Sequence, residues 1–205
     1  MARVFNLGKG DLLNLGEDLS DITVGLSWDR DKYKNRGKQP DLKVFALLNT
    51  DSASGCEAVY VGKEKSDCGS ISISKENLTA EGEGGDEQLY FQLKEVPSQI
   101  TSVDIWIVIY EDILKRQNFS QIRRIQCRLS EGINGQENGL LATFDMYPAG
   151  PNLRSIHVVS LLRKENNDWG FERVEESYKF DNRGLEAHYK HTNEEKTAEG
   201  KQISR

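Results

Sequence analysis

Carboxylate side chains and glycines are concentrated in residues 75–87, which have the sequence KENLTAEGEGGDE. The carboxylates are Glu76, Glu81, Glu83, Asp86 and Glu87, and the glycines are Gly82, Gly84 and Gly85. Carboxylates this close together repel one another unless a cation lies among them. Ca²⁺ binds carboxylate, amide and backbone carbonyl oxygens, and glycines allow a loop to turn its carbonyls toward an ion. The segment therefore predicts a calcium-binding loop outside the EF-hand spacing, with a solvated acidic loop as the alternative.

A second acidic group follows a predicted strand that ends at Trp28. It consists of Asp29 and Asp31, and Asp41 closes the basic segment that comes after them. Loops cluster at the ends of a β-sandwich, so two acidic loops can meet at one cation. The alternative is that Asp29 and Asp31 begin a turn by accepting bonds from nearby backbone N–H groups.

Apolar residues alternate with polar ones in short runs along most of the chain, which is the pattern of β-strands. The predicted strands are residues 22–28, 42–49, 58–62, 70–74, 88–93, 102–110, 122–129, 140–146, 156–164 and 169–176. A single open sheet of that size leaves one face and both edges uncovered, so two packed sheets are expected. Residues 102–110 are apolar on both faces, which predicts a central strand. The fold class is all-β, a two-sheet β-sandwich with few short helices.

Helical signals are few. Residues 111–121 predict a helical turn capped by Asn118 or Ser120, and residues 183–190 predict a short closing helix. Residues 191–205 carry many charges and little apolar surface, so we expect a disordered tail. The length of 205 residues then predicts one domain, residues 1–190, followed by this tail.

Charge and cysteine content exclude several classes of protein. With 27 basic and 33 acidic residues the net charge is −6, which does not attract nucleic acid. The sequence has no apolar run near the roughly 18 residues of a membrane span and no apolar signal core, so we expect a cytoplasmic protein. Three cysteines without a CxxC pair indicate neither a disulfide framework nor a zinc site, and Cys127 is expected in the core.

Several segments resemble, in the same order, the TerD family of bacterial stress and tellurium-resistance proteins across residues 20–190. The matching segments are residues 25–29 at a strand end, 41–48 entering the next strand, the acidic residues 75–87, and the shorter pieces 117–121 and 169–171. The resemblance implies a β-sandwich that binds calcium through its two acidic segments and has no established catalytic role. It also implies protein partners, including other stress-response proteins at the cytoplasmic face of the membrane.

Three positions depart from the family pattern. Lys43 and Gly85 stand where the family has Asp, and Glu76 stands where the family has the shorter Asp. Each lost carboxylate lowers calcium affinity, because the number of charged ligands tunes it. Three interpretations follow: one retained site of weakened affinity, which we favour, a lost site in which Lys43 pairs with acidic neighbours, or an altered choice of ion.

The sequence therefore predicts a non-catalytic calcium-binding protein, acting as a binding or scaffold protein in tellurite or general stress resistance. The candidate metal ligands are Asp29, Asp41, Glu76, Asn77, Glu83, Asp86 and Glu87, with backbone carbonyls of Gly82 and Gly84. The alternative is a metal-free protein interaction module. An enzyme is not expected, because His157 alternates with apolar strand residues and no serine elbow, phosphate loop or HExxH pattern accompanies it.

Overall fold

The structure, a computed structural model, describes residues 4–30, 42–50, 56–74, 87–110, 117–132, 139–148, 150, 152–185 and 187–188, without the side chains of Arg30 and Cys56. The strands are β1 (Phe5–Asn6), β2 (Leu12–Asn14), β3 (Asp21–Arg30), β4 (Leu42–Thr50), β5 (Cys56–Tyr60), β6 (Ile71–Ile73), β7 (Glu87–Gln92), β8 (Ile100–Ile109), β9 (Ile122–Glu131), β10 (Gly139–Met146), β11 (Ser155–Arg163) and β12 (Trp169–Tyr178). No helix among the described residues is long and apolar enough to cross a membrane.

Within the described residues, the strands form two six-stranded sheets that pack face to face. The first sheet has the order β1-β10-β9-β3-β7-β6, and the second has the order β2-β12-β11-β8-β4-β5. Neighbouring strands are antiparallel except for the parallel pair of β1 and β10. The predicted all-β sandwich is confirmed, and the predicted strands match observed strands with ends that differ by two residues or fewer.

The space between the sheets is filled by the inward side chains of both sheets, as the alternation of the strands requires. Ile22, Val24 and Leu26 contribute from β3, and Ile105 and Ile107 contribute from β8 in the other sheet, all with essentially no exposed surface. Cys127 is also fully buried in this core, which confirms its predicted position.

A second apolar cluster covers the outer face of the second sheet. Trp106 and Val108 of β8 lie in it with Leu185, and Phe180 packs against them. Strand β8 is therefore apolar on both faces and lies between β4 and β11, as the sequence predicted. Residues 182–185 and 187–188 are helical, so the predicted closing helix is present where the chain is described, and it helps to bury Trp106.

The turn before β9 is a short 3-10 helix, Phe119–Gln121. The side chain of Asn118 accepts bonds from Ser120, and the Gln121 side chain bonds back to the Asn118 N–H, so the two ends cap each other. The predicted cap at Asn118 is confirmed. Residues 111–116 of the predicted helical turn and the expected tail 191–205 lie outside the described residues.

Candidate metal site

The two acidic segments are attached to the same end of the sandwich. Strand β3 ends at Arg30, and Leu26 near that end pairs with Glu87, the first residue of β7. In the facing sheet β4 begins at Leu42, and the backbone N–H of Val44 donates to Glu87 Oε2 at 2.9 Å. Because the chain enters β4 directly from residue 41 and β7 directly from residue 86, both acidic segments join the sandwich here.

Most of the predicted ligands belong to segments outside the described residues. These are Asp41, Glu76, Asn77, Gly82, Glu83, Gly84 and Asp86. Asp29 and Glu87 are described, and their positions differ. Within the described residues, no three His, Cys, Asp or Glu side chains lie together as a metal cluster.

The Glu87 carboxylate is buried between the two sheets. Glu87, Leu89 and Phe91 alternate with more exposed residues in β7, so all three face the interior. Only 2% of the Glu87 surface is exposed. The backbone N–H of Val44 donates to this carboxylate. Val44 lies one residue before Phe45, at which the pairing of β4 with β5 ends. An ionised carboxylate in such a place is costly unless hydrogen bonds or a cation compensate for the water it has lost, and its oxygens are the hard donors that Ca²⁺ prefers.

The Asp29 carboxylate lies on the opposite, outer face of the first sheet. Its neighbour Trp28 packs against the core, and alternation therefore turns Asp29 outward. Asp29 Oδ2 accepts from Arg124 Nε at 3.0 Å, and Arg124 Nη1 lies 3.5 Å from Asp145 Oδ2. The negative charge of Asp29, and next that of Asp145, raises the pKa of Arg124 above its usual value. The structure does not bring Asp29 together with Glu87.

Lys43, a departure from the family pattern, also lies away from the face that carries Glu87. In β4 the side chain of Val44 belongs to the interior core, so residue 43 lies on the outer face, where it pairs across the sheet with Val108. Alternation thus separates Lys43 from the buried carboxylate, although the two strand ends are close.

A polar network that sequence reasoning missed lies on the outer face of the second sheet. Asp104 accepts from Ser160 Oγ at 2.6 Å and from Asn49 Nδ2 at 2.9 Å. The His157 ring stacks on Trp106 with centroids 4.5 Å apart, and its Nε2 is 3.0 Å from Ser160 Oγ and 3.5 Å from Asp104 Oδ1. The signal that could have found it is a single aspartate inside the otherwise apolar stretch of β8.

This network contains the side chains of a Ser-His-Asp triad, but it lacks the triad geometry. In a triad the carboxylate binds one imidazole nitrogen while the serine binds the other. Here Ser160 and Asp104 both approach Nε2 of His157, and the serine proton is directed to the carboxylate. The arrangement hydrogen-bonds a partly buried carboxylate and directs the Ser160 proton to Asp104 instead of to the His157 ring.

Comparison with known proteins agrees with the fold. General stress protein 16U of Bacillus subtilis is 30% identical over 84% of this chain and 90% of its own length. Tellurium resistance protein TerD of Serratia marcescens is 25% identical over the same fractions. Among solved structures, a homologue of the telluride resistance protein from Streptomyces coelicolor A3(2) has a TM-score of 0.60 at 20% identity, covering 80% of this chain and 93% of that one.

The family model described as the TerD domain matches residues 3–189, which includes both acidic segments and every described strand. The chain belongs to the TerD domain family of tellurium-resistance and general stress-response proteins.

Proposed function

We propose that this chain binds Ca²⁺ at the acidic end of its sandwich, in a single site of weakened affinity, and acts without catalysis as a binding or scaffold protein in tellurite or general stress resistance. The proposed ligands are Asp41, Glu76, Asn77, Glu83, Asp86 and Glu87, with the backbone carbonyls of Gly82 and Gly84. Asp29 is left out of this set, because it is paired with Arg124 on the other face of its sheet.

The observation that carries the proposal is the buried carboxylate of Glu87. It lies in the interior at the sandwich end that both acidic segments join, and it accepts the Val44 N–H from the facing sheet. An ion bound beside Glu87 would add a favourable electrostatic interaction to those that this carboxylate already makes within the protein. It would also be held between strands of both sheets, so binding would stabilise the sandwich itself.

The biological setting comes from the relatives. General stress protein 16U and the tellurium resistance protein TerD carry stress and resistance functions in their names. We place this chain in the cytoplasm, where a bound ion would brace the acidic segments as part of a surface for other stress-response proteins at the membrane face. The net charge of −6 favours a cation over nucleic acid as a ligand.

The second candidate is a metal-free protein interaction module. Lys43 and Gly85 favour it, since both replace carboxylates of the family pattern. It predicts the same melting temperature with and without a chelator.

The two candidates are separated by thermal melting of chelator-stripped protein, with and without added Ca²⁺. Calcium binding to the folded state raises the melting temperature, and Asp86→Ala should abolish that rise. Mg²⁺ at the same concentration is the control for ionic strength and for the choice of ion. An equal rise in wild type and Asp86→Ala would reject the proposed ligand set.

A further inference from the structure

A cavity lies at the end of the sandwich opposite to the acidic segments. It has a volume of about 630 Å³ and lies among the segment before β3, the segment after β7 and the hairpin that joins β11 to β12. The ten residues of β3 separate it from the acidic end, which corresponds to about 30 Å of strand. Its volume is within the range of small-molecule pockets, roughly 300–1,000 Å³.

Arg163 lines this cavity, and its guanidinium donates mainly to backbone carbonyls. Its Nε donates to the carbonyl of Ile100 at 2.9 Å, and its Nη2 donates to those of Val96 and Pro97 at 2.8 and 3.1 Å. The guanidinium stacks over the indole of Trp169, with Cζ 4.5 Å from the ring centroid. In the described part of the chain, Nη1 has no bond and no carboxylate pairs with this cation.

Arg173 has a similar environment to Arg163, but its guanidinium is also paired with a carboxylate. Its Cζ also lies 4.5 Å from an aromatic centroid, that of Phe144, and its guanidinium also donates to backbone carbonyls, those of Leu7 and Asp145. In addition, Nε and Nη2 of Arg173 both bond to the Glu175 carboxylate. All three nitrogens are therefore used, and the charge is balanced. Among the described residues Arg163 lacks the anion that Arg173 has, and Arg163 lines this cavity whereas Arg173 does not.

The remaining walls of the cavity limit which anion fits. Leu19, Leu93 and Val96 give it an apolar part, and the exposed Lys94 adds a second cation. Glu17 and Asp168 also line the cavity, so a ligand with two or three negative charges would meet like charge. One negative charge on an apolar body suits these walls. Burial also lowers the pKa of Arg163, as expected for a cation that has lost water without gaining a carboxylate.

We propose that this cavity is a binding site for a small organic molecule with one carboxylate and an apolar body, whose carboxylate oxygen accepts from Nη1 of Arg163. This site lies at the opposite end of the sandwich from the proposed calcium site.

Titration of the full chain with benzoate, followed by NMR, tests this site. The three tryptophans give three indole N–H signals, and Trp169→Phe identifies the one that belongs to Trp169. Benzoate should shift that signal saturably at millimolar or lower concentration, while the uncharged benzamide should bind about tenfold more weakly or worse. Equal shifts with both compounds, no saturable shift, or tighter binding of inorganic phosphate would overturn the proposal.

Two variants and one matched control locate the contact. Arg163→Gln should weaken benzoate binding about tenfold or more, whereas Arg173→Gln, which removes a similarly stacked guanidinium outside the cavity, should leave binding unchanged. If Arg163→Gln does not fold, Ser98→Phe replaces it, because Ser98 is an exposed cavity residue and a phenyl ring there blocks the space. Unchanged binding in Ser98→Phe or Arg163→Gln would place benzoate elsewhere and contradict the proposed site.

Discussion

Glu87 of β7 and Val44 of β4 are joined across the interior of the sandwich, because the buried Glu87 carboxylate accepts the Val44 backbone N–H at 2.9 Å. The bond connects the two sheets at the end where both acidic segments join the sandwich. The carboxylate has a structural role toward Val44 and, in the proposed calcium site, an electrostatic role toward the ion, and substitution can separate the two.

Glu87→Gln is expected to keep the bond from Val44 and to lose the charge. The variant should therefore fold without metal, and its calcium-induced rise in melting temperature should be lost or strongly reduced, since ligand charge sets calcium affinity. Glu131→Gln, an exposed glutamate at the far end of β9, is the control and should retain the full rise. Retention of the full rise in Glu87→Gln would show that its charge does not act on the ion.

Asp29→Asn is expected to leave calcium binding essentially unchanged. The Asp29 carboxylate pairs with Arg124 on the outer face of the first sheet, away from Glu87. The measurement is a calcium titration by calorimetry, compared with Asp86→Ala in the same buffer. If Asp29→Asn lowers the affinity as much as Asp86→Ala does, Asp29 leaves Arg124 to bind the ion and belongs to the ligand set after all.

Asp104 is expected to make stability depend on acidic pH. Burial raises the pKa of Asp104, but hydrogen bonds from His157, Ser160 and Asn49 outweigh it and hold the pKa below the ordinary value. The pKa of Asp104 is therefore lower in the folded state than in the unfolded state, where it is about 3.9. The ionised carboxylate stabilises the fold at pH values above the unfolded pKa, and this stabilisation is lost as the pH falls through the folded pKa.

Asp104→Asn should consequently lower the free energy of unfolding at neutral pH by about 1–3 kcal/mol and lose less on further acidification than wild type. Urea unfolding at pH 7 and near pH 3 measures both effects. Asp18→Asn is the control, since Asp18 is exposed and should change neither value. Identical pH dependence in wild type and Asp104→Asn would refute the assignment.

Cys68 and Cys127 are expected to differ sharply in reactivity. Burial alone would raise the pKa of Cys68, but contacts of its Sγ with the Ser66 and Ser70 hydroxyls, at 3.3 and 3.0 Å, lower it below the usual value. Cys127 is completely buried, and burial raises its pKa. Iodoacetamide should thus modify Cys68 in the native protein and Cys127 only after unfolding.

Peptide mass spectrometry at several pH values follows each of these two cysteines separately. The rate at Cys68 should reach half its maximum at a lower pH than that of a free thiol, and Ser70→Ala should move that point upward. Modification of Cys127 in the native state, or no change at Cys68 in Ser70→Ala, would contradict the structure.

The longer strands could be predicted from the sequence, but the contacts between them could not. Period-two alternation located β3, which has one face in the core, and the stretch that is apolar on both faces, β8, was correctly predicted to be central. Strands β1 and β2 were missed, because two or three residues are too few to show alternation. The interior position of Glu87 continues the pattern of Leu89 and Phe91, but its partner Val44 is 43 positions away in sequence, and no local pattern encodes such a contact.

The polar contacts were harder to predict for the same reason. Asp29 pairs with Arg124 only because β3 and β9 are neighbours in a particular register, and register is set by packing across the whole sheet. The Asp104 network likewise joins β4, β8 and β11. Of the three departures from the family pattern, Lys43 is the one within the described residues, and alternation within β4 places it on the face opposite to Val44.

Calcium titration of chelator-stripped wild-type protein by isothermal calorimetry tests the central proposal most directly. We expect saturable binding with a stoichiometry of one, and an affinity that falls in Glu87→Gln but not in Glu131→Gln. Absence of any saturable heat, together with a melting temperature that calcium does not change, would show that the sandwich functions without the metal and would favour the interaction module instead.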